Sequence, residues 1–243
     1  MAQIPETEQA GQLMFFRAMR RRGLVFAVCS LGLCFCQGVA AAQDTLADSG
    51  TVAPTFRQNV IVLLQGQQLS VPLTFEQVQS DPDYVADDGR QSLVEFVPNG
   101  QTVYEWTELV SVRSFALDVF PGAKAMQVME LLAQSIYQAC PTSFVYEPLP
   151  GKSVAGFPAT TALLGCRATE NMVVPGLEIG QSEVGVYTVV ETPAAYVEAH
   201  YSRRTGDVTE FDSPSDPAVV AALNGFVQGL KFCAGSPDAS PCK

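Results

Sequence analysis

Histidine is all but missing from this chain: His200 is the only one in 243 residues. Zinc centres and serine or cysteine hydrolases lean on imidazole, so each of those chemistries has at most one candidate ligand or base. Tryptophan is equally scarce, with Trp106 alone. Basic residues number 14 against 25 acidic ones, and so acidic a surface repels phosphate backbones and anionic headgroups, which argues against a nucleic-acid partner. No CxxC occurs, which removes a thioredoxin-like redox pair. Gly151-Lys152-Ser153 ends like a phosphate-binding loop, but Tyr146 stands where its first glycine belongs. Gly180-Gln181-Ser182-Glu183-Val184 misses the nucleophile elbow, because Gly185 comes one residue late. Asp81-Pro82-Asp83 begins like a calcium-binding EF-hand loop, but Val85 takes the next ligand position and Gly89 follows too late. Without a complete catalytic signature, the chain reads as a non-enzyme, and nothing in it implies a cofactor.

What the sequence does contain starts with a leader. Arg17, Arg20, Arg21 and Arg22 precede an uncharged apolar run, 23–42, that closes on Ala40 and Ala42. A basic region, an apolar core and a small-residue end together predict a secretory signal peptide cut after Ala42. Met14 or Met19 is a plausible start, since the residues before Met14 are unlike a signal's basic region. The alternative is an uncleaved helical anchor, because about twenty apolar residues can just span a bilayer. Arg21-Arg22 loosely matches a twin-arginine signal. Cys29, Cys34 and Cys36 lack the small residue expected before a lipoprotein cysteine.

Removing 42 of the 243 residues leaves 201, enough for one domain with a sound core. Four basic and two acidic residues leave with the leader, so the mature chain carries 10 and 23, a net charge of −13. Its cysteines are Cys140, Cys166, Cys233 and Cys242. An even number in an oxidising compartment predicts two disulfides. Three pairings are possible, and nearness in sequence favours Cys140–Cys166 with Cys233–Cys242. Their spacing, with one histidine, does not suit zinc.

Residues 43–58 are polar and small, and predict a flexible mature N-terminus ahead of a single domain over 59–243. Strands are predicted over Asn59–Gln65 and Leu69–Phe75, then a polar loop over Gln77–Arg90. Leu93–Pro98 and Trp106–Phe115 follow as a pair of strands around the Pro98-Asn99-Gly100 turn. Alternation puts Trp106, Glu108, Val110 and Val112 on one face, so Trp106 is expected in the core and Glu108 at a bulge or strand end. Met126, Met129, Leu132, Ala133, Ile136, Tyr137 and Cys140 recur at helical spacing and predict a helix over Ala123–Cys140, stopped by Pro141. Four more strands are predicted at Phe144–Leu149, Ala159–Thr169, Ser182–Thr192 and Tyr196–Arg204. Ser215-Asp216-Pro217 then starts a second helix carrying Val219, Leu223, Phe226, Leu230 and Cys233 on one face. Gly225 and Gly229 give that helix a smooth stripe for close approach to a sheet. The order predicts an α+β domain: an antiparallel sheet of about six to seven strands covered by two amphipathic helices.

Three candidate sites follow. Tyr104 and Trp106 can stack on a sugar or aromatic ligand, with Glu108 as a carboxylate lining the same pocket. His200, flanked by Glu198 and Ser202, is the one available base for a hydrolase using Ser182 or Glu108, although strand alternation predicts a solvated surface position for it. Asp81, Asp83, Asp87 and Asp88 form a loop capable of loose calcium binding. Arg203-Arg204 reads as a solvated strand end.

The stretch VYEWTELVSV, then a helix ending Ala139-Cys140-Pro141, then four strands and a helix, resembles the PsbP-like fold, which secreted bacterial proteins of the DcrB-like group share. The resemblance covers roughly Val60 to Cys233 and rests on element order. It implies an antiparallel sheet between helices and a binding or assembly role rather than catalysis. The leader predicts a periplasmic or secreted mature chain, whose expected partner is a small ligand or another envelope protein.

Overall fold

The computed structural model describes residues 55–77, 82–150, 153–169, 177–205, 225–233 and 242. The chain divides into two units, residues 1–50 and 51–243, and every described residue belongs to the second. The leader, Asp81, the Gly151-Lys152 pair and the predicted start of the second helix at Pro217 lie outside the described residues. In chain order the strands are β1 (Gln58–Leu64), β2 (Gln67–Leu73), β3 (Tyr84–Asp87), β4 (Gln91–Phe96) and β5 (Glu108–Ala116). Helix α1 (Ala125–Ala139) comes next, then β6 (Val145–Leu149), β7 (Ser153–Val154), β8 (Phe157–Arg167), β9 (Ser182–Glu191), β10 (Ala195–Thr205) and β11 (Lys231–Cys233).

Eight strands make one antiparallel sheet in the order β3-β4-β5-β10-β9-β8-β6, with β7 also on β8. Strands β1, β2 and β11 form a second antiparallel sheet. The single sheet of six to seven strands expected from the sequence is therefore two sheets. Val62, Leu69 and Val71 of the small sheet share one apolar layer with Phe96, Val112 and Tyr201 of the large one. Helix α1 covers the other face of the large sheet, where Val128, Met129 and Leu132 pack with Phe115, Leu164 and Val189. Each sheet buries the face that its two-residue alternation makes apolar.

Local chemistry explains the joins. Gln65 and Gly66 both take positive φ, +47° and +75°, as a two-residue hairpin turn with the twist of its strands requires. Strand β1 ends the small sheet, and on its outer side Ile61 and Leu63 are 52% and 70% exposed. At the start of α1 the Lys124 N–H donates to Gln127 Oε1 at 2.8 Å, and Pro141 follows its end. The disulfide Cys140–Cys166 ties that end to β8, with Cα atoms 5.9 Å apart, and a second joins Cys233 to Cys242.

Several expectations need correction. The buried stripe of α1 is Ala125, Val128, Met129, Leu132 and Ala133, whereas Met126 and Tyr137 are exposed. Met129, Leu132, Ala133 and Cys140 lie on the predicted face and Ile136 packs against it, so the stripe differs only at Met126 and Tyr137 and in gaining Ala125 and Val128. The acidic loop contains β3, paired with β4. The flexible N-terminus stops short of 58: Phe56 packs on Tyr201 and Phe226, with ring centroids 5.9 and 6.1 Å away, and the Arg57 N–H donates to Leu73 O. Of the second helix, residues 225–229 are helical, but Cys233 belongs to β11, which adds to the edge of β2. Trp106 lies ahead of β5 and outside the main apolar layer, in a small cluster with Val97 and Leu109.

The glycine stripe does bring helix and sheet together. A Cβ on Gly229 would stand 2.8 Å from the Pro72 ring of β2, and one on Gly225 would stand 3.2 Å from Phe56. Overpacking of this kind costs about 1–3 kcal/mol, and the gain of up to about 1 kcal/mol in helix propensity offsets only part of it. Gly229→Ala should therefore lower the melting midpoint by roughly 2–4 °C for each kcal/mol lost. A midpoint equal to or above wild type in calorimetry would show that the approach is not tight.

Candidate functional site

The residues of the large sheet that face α1 run in register from strand to strand. Tyr84 of β3 pairs with Glu95 of β4, Glu95 with Ser111 of β5, Ser111 with His200 of β10, and His200 with Tyr187 of β9. Five adjacent strands thus contribute one polar or aromatic side chain each to a single row. In the neighbouring row, Arg113 of β5 lies opposite Glu198 of β10. The row is not solvated. Ser111 is 0%, Glu198 2%, His200 7% and Glu95 9% exposed.

Burial of so many polar groups demands partners. The Glu198 carboxylate meets His200 Nδ1 at 2.7 Å, and the Tyr187 ring stacks on the imidazole with centroids 4.2 Å apart. The contact fixes the orientation of the imidazole through Nδ1. Burial pushes the Tyr187 phenol well above its ordinary range, and the Glu183 charge adds to this. Burial is also the main cause that raises the Glu95 carboxyl, with His200 and Arg113 pulling the other way. Among the described residues, the Ser111 hydroxyl has no hydrogen-bond partner, although it is wholly buried between Glu95 and His200.

The end of the sheet beyond Ser202 is closed by an arginine. Arg204 Nε donates to Glu183 Oε2 at 3.0 Å, Nη1 donates to Tyr104 O at 2.8 Å, and the guanidinium lies 4.0 Å from the Trp106 ring centroid. Between Arg204 and the row, Gly185 opposes Ser202. A Cβ there would collide with Ser202 Oγ and stand 2.7 Å from Tyr201 O, so only glycine lets β9 lie this close.

The sequence-predicted sites separate. Ser182 pairs with Thr205, five positions along β10 from His200 and on the opposite face of the sheet. Glu108 opens β5, opposite Arg203, on the face of Val110; the Thr74 hydroxyl donates to it. Neither side chain reaches His200, so the hydrolase pairing of His200 with Ser182 or Glu108 has no geometry to support it. Nor is His200 the solvated residue that alternation predicted: its strand's polar face looks inward. Tyr104 and Trp106 stand together beside Arg204, with Trp106 buried, while Glu108 lies on the other face. The acidic loop spends its carboxylates locally. Asp83 accepts from the Val97 N–H and Gln77 Nε2, Asp87 from the Gly89 N–H and the Ser92 hydroxyl, and Asp88 from the Arg90 and Gln91 N–H groups. Among the described residues no group of three or more His, Cys, Asp or Glu side chains is placed to hold a metal ion. Arg204 is a buried partner of Glu183 rather than a solvated strand end.

Sequence reading missed Glu95, Ser111, Tyr187 and Tyr84. The period-two placement of Glu95 within β4 and of Ser111 within β5 was visible, but the strand order that aligns them with His200 was not.

No protein-family model and no curated protein matches the chain. Among solved structures, a weak similarity is to LpqN, described as involved in cell envelope biogenesis of Mycobacterium tuberculosis. It shares 10% identity over 72% of this chain and 83% of its own, with a TM-score of 0.31.

The raised Glu95 carboxyl has a consequence for stability. An acid whose folded pKa lies above its unfolded one costs stability above the folded value, and that cost vanishes below the unfolded value. Glu95→Gln should therefore melt above wild type at pH 8, and the two should converge as the pH falls through the ordinary carboxyl range. A Gln variant that melts below wild type at pH 8 would show that the carboxylate is ionised and paired.

Proposed function

We propose that this is an exported, non-catalytic protein that binds a small polar ligand on the helix-facing side of its large sheet, at Glu95, Ser111 and His200. The unpartnered Ser111 hydroxyl carries this reading. Natural proteins rarely leave a buried hydroxyl unpaired, because the cost is about 1–3 kcal/mol. A ligand that completes the row repays it. The basic-then-apolar leader and two disulfides support a periplasmic or secreted setting. Among the described residues no helix is long and apolar enough to cross a membrane.

Native mass spectrometry of the protein purified from periplasmic extract tests the reading. The expected spectrum shows a non-covalent adduct that is lost in Ser111→Leu, which removes the hydroxyl and adds bulk at its position. Wild-type protein that flies only at its bare mass, or an adduct unchanged in the variant, would count against the row as the site.

A further inference from the structure

We infer that the free edge of β1 pairs with β1 of a second copy, antiparallel and about a two-fold axis at Ile61, to give a closed dimer. Backbone phase places the docking groups. The two-residue turn at Gln65-Gly66 closes on Leu64 and Gln67, the hydrogen-bonded rung of such a hairpin. Bonded rungs alternate with open ones, so Val62–Leu69, Val60–Val71 and Gln58–Leu73 are bonded too. Pro72, which has no N–H to give, falls on the open rung opposite Asn59 and so agrees with this phase. Asn59, Ile61 and Leu63 therefore turn their N–H and C=O groups away from β2. Strand β1 ends the small sheet, and no described residue hydrogen-bonds those groups. The other sheet ends are guarded. Strand β3 has four residues and closes on Asp87, β6 carries Glu147 and Pro148, and β11 has three residues led by Lys231. Short length, charge and proline are the usual defences of an edge. Strand β1 has seven residues, QNVIVLL, with no charge, proline or glycine, and its Ile61 and Leu63 side chains are exposed.

The strand is complementary to itself. With the axis at Ile61, that residue meets its own counterpart, and Asn59 meets Leu63 of the second copy. These are the outward-turned residues, so every free N–H and C=O along the edge finds a partner. On the inner side Val60 falls opposite Val62 of the second copy, and the apolar layer runs on across the join. Arg57 falls opposite Gln65, so no like charges face one another. Each copy is acidic, net −11, but the pairing segment itself carries no charge to resist contact. The two-fold consumes both β1 edges and leaves the short, basic β11 at each end of the joined sheet, so assembly stops at two. A contact of about seven residues a side is small for a specific interface, which predicts a weak dimer with a dissociation constant on the order of micromolar.

Sedimentation velocity of the intact, oxidised protein from about 1 to about 500 µM, with amide hydrogen exchange at both ends of that range, tests the inference. A monomer should give way to a dimer as concentration rises, and more readily at high salt, which screens the repulsion between two acidic bodies. The amides of Asn59, Ile61 and Leu63 should exchange freely in the dilute monomer and at least about tenfold more slowly in the dimer, whereas those of Val60 and Val62 stay slow in both. Ile61→Lys sets two ammonium groups on the axis and should raise the dissociation constant at least about tenfold. Its melting midpoint in dilute solution should match wild type, because the side chain it replaces is exposed. Ile61→Cys should cross-link to its counterpart, since facing residues of a bonded rung have Cα atoms about 5.5 Å apart, and Leu63→Cys should not. A monomer at every concentration, or an Ile61→Lys dimer as tight as wild type, would overturn the inference. So would a dimer whose three edge amides still exchange freely, or a Leu63→Cys that cross-links as readily as Ile61→Cys. Edge amides already slow in the dilute monomer would overturn it as well, by showing that the same chain covers its own β1.

Discussion

A slip of one residue in β10 would turn Glu198 and His200 into the apolar layer between the sheets and push Tyr201 out of it. Val197, Ala199 and Tyr201 meet the small sheet, while Tyr196, Glu198, His200 and Ser202 line the helix side. The register is fixed from both flanks, since β10 pairs along nearly its whole length with β5 and β9. Tyr196 adds a pin across layers, donating its hydroxyl to Ala123 O at 2.7 Å just ahead of α1. The polar row exists because this register holds.

Two kinds of burial therefore share one sheet. On the small-sheet side the layer is mainly aliphatic and aromatic, and its contribution scales with area at about 25 cal/mol per Å². On the helix side the layer changes character along each strand. Over β8 and β9 it is apolar and covered by α1; toward β4 and β5 it holds carboxyls, hydroxyls and an imidazole. Burying those groups subtracts from stability unless each is matched. The Glu198–His200 pair and the Arg204–Glu183 pair are matched internally. Other buried polar side chains of the sheet are paired locally, as Thr161 is with Thr188.

Much of the architecture was legible from periodicity. Strands β1, β2, β4, β5, β6, β8, β9 and β10 and helix α1 follow from alternation, helical spacing and the breaks at proline and glycine. The approach of Gly229 to Pro72 was readable as a smooth stripe. What periodicity cannot carry is which strands become neighbours. Sequence distance suggested one sheet; the side chains of Val60, Val62 and Leu64 instead face a second layer. Strand β3 was hidden because an edge strand of four residues needs little apolar content, and its aspartates serve the flanking backbone. His200 was misplaced for a related reason: a polar strand face reads as solvated unless its neighbours across three other strands are known. Glu95 and Ser111 are 16 residues apart in sequence and His200 lies 89 beyond Ser111, so their meeting is a product of topology.

The bond between Cys140 and Cys166 closes a 26-residue span that holds β6, β7 and most of β8. In the chain-entropy picture such a closure removes roughly 3–4 kcal/mol of freedom from the unfolded chain. The span lies toward one margin of the large sheet and none of the row's five residues falls inside it. This cross-link and the polar row therefore lie in different parts of the sheet. A thiol reductant would slacken the helix-bearing margin first, while the strands that present Glu95, Ser111 and His200 keep their own hydrogen-bonded frame.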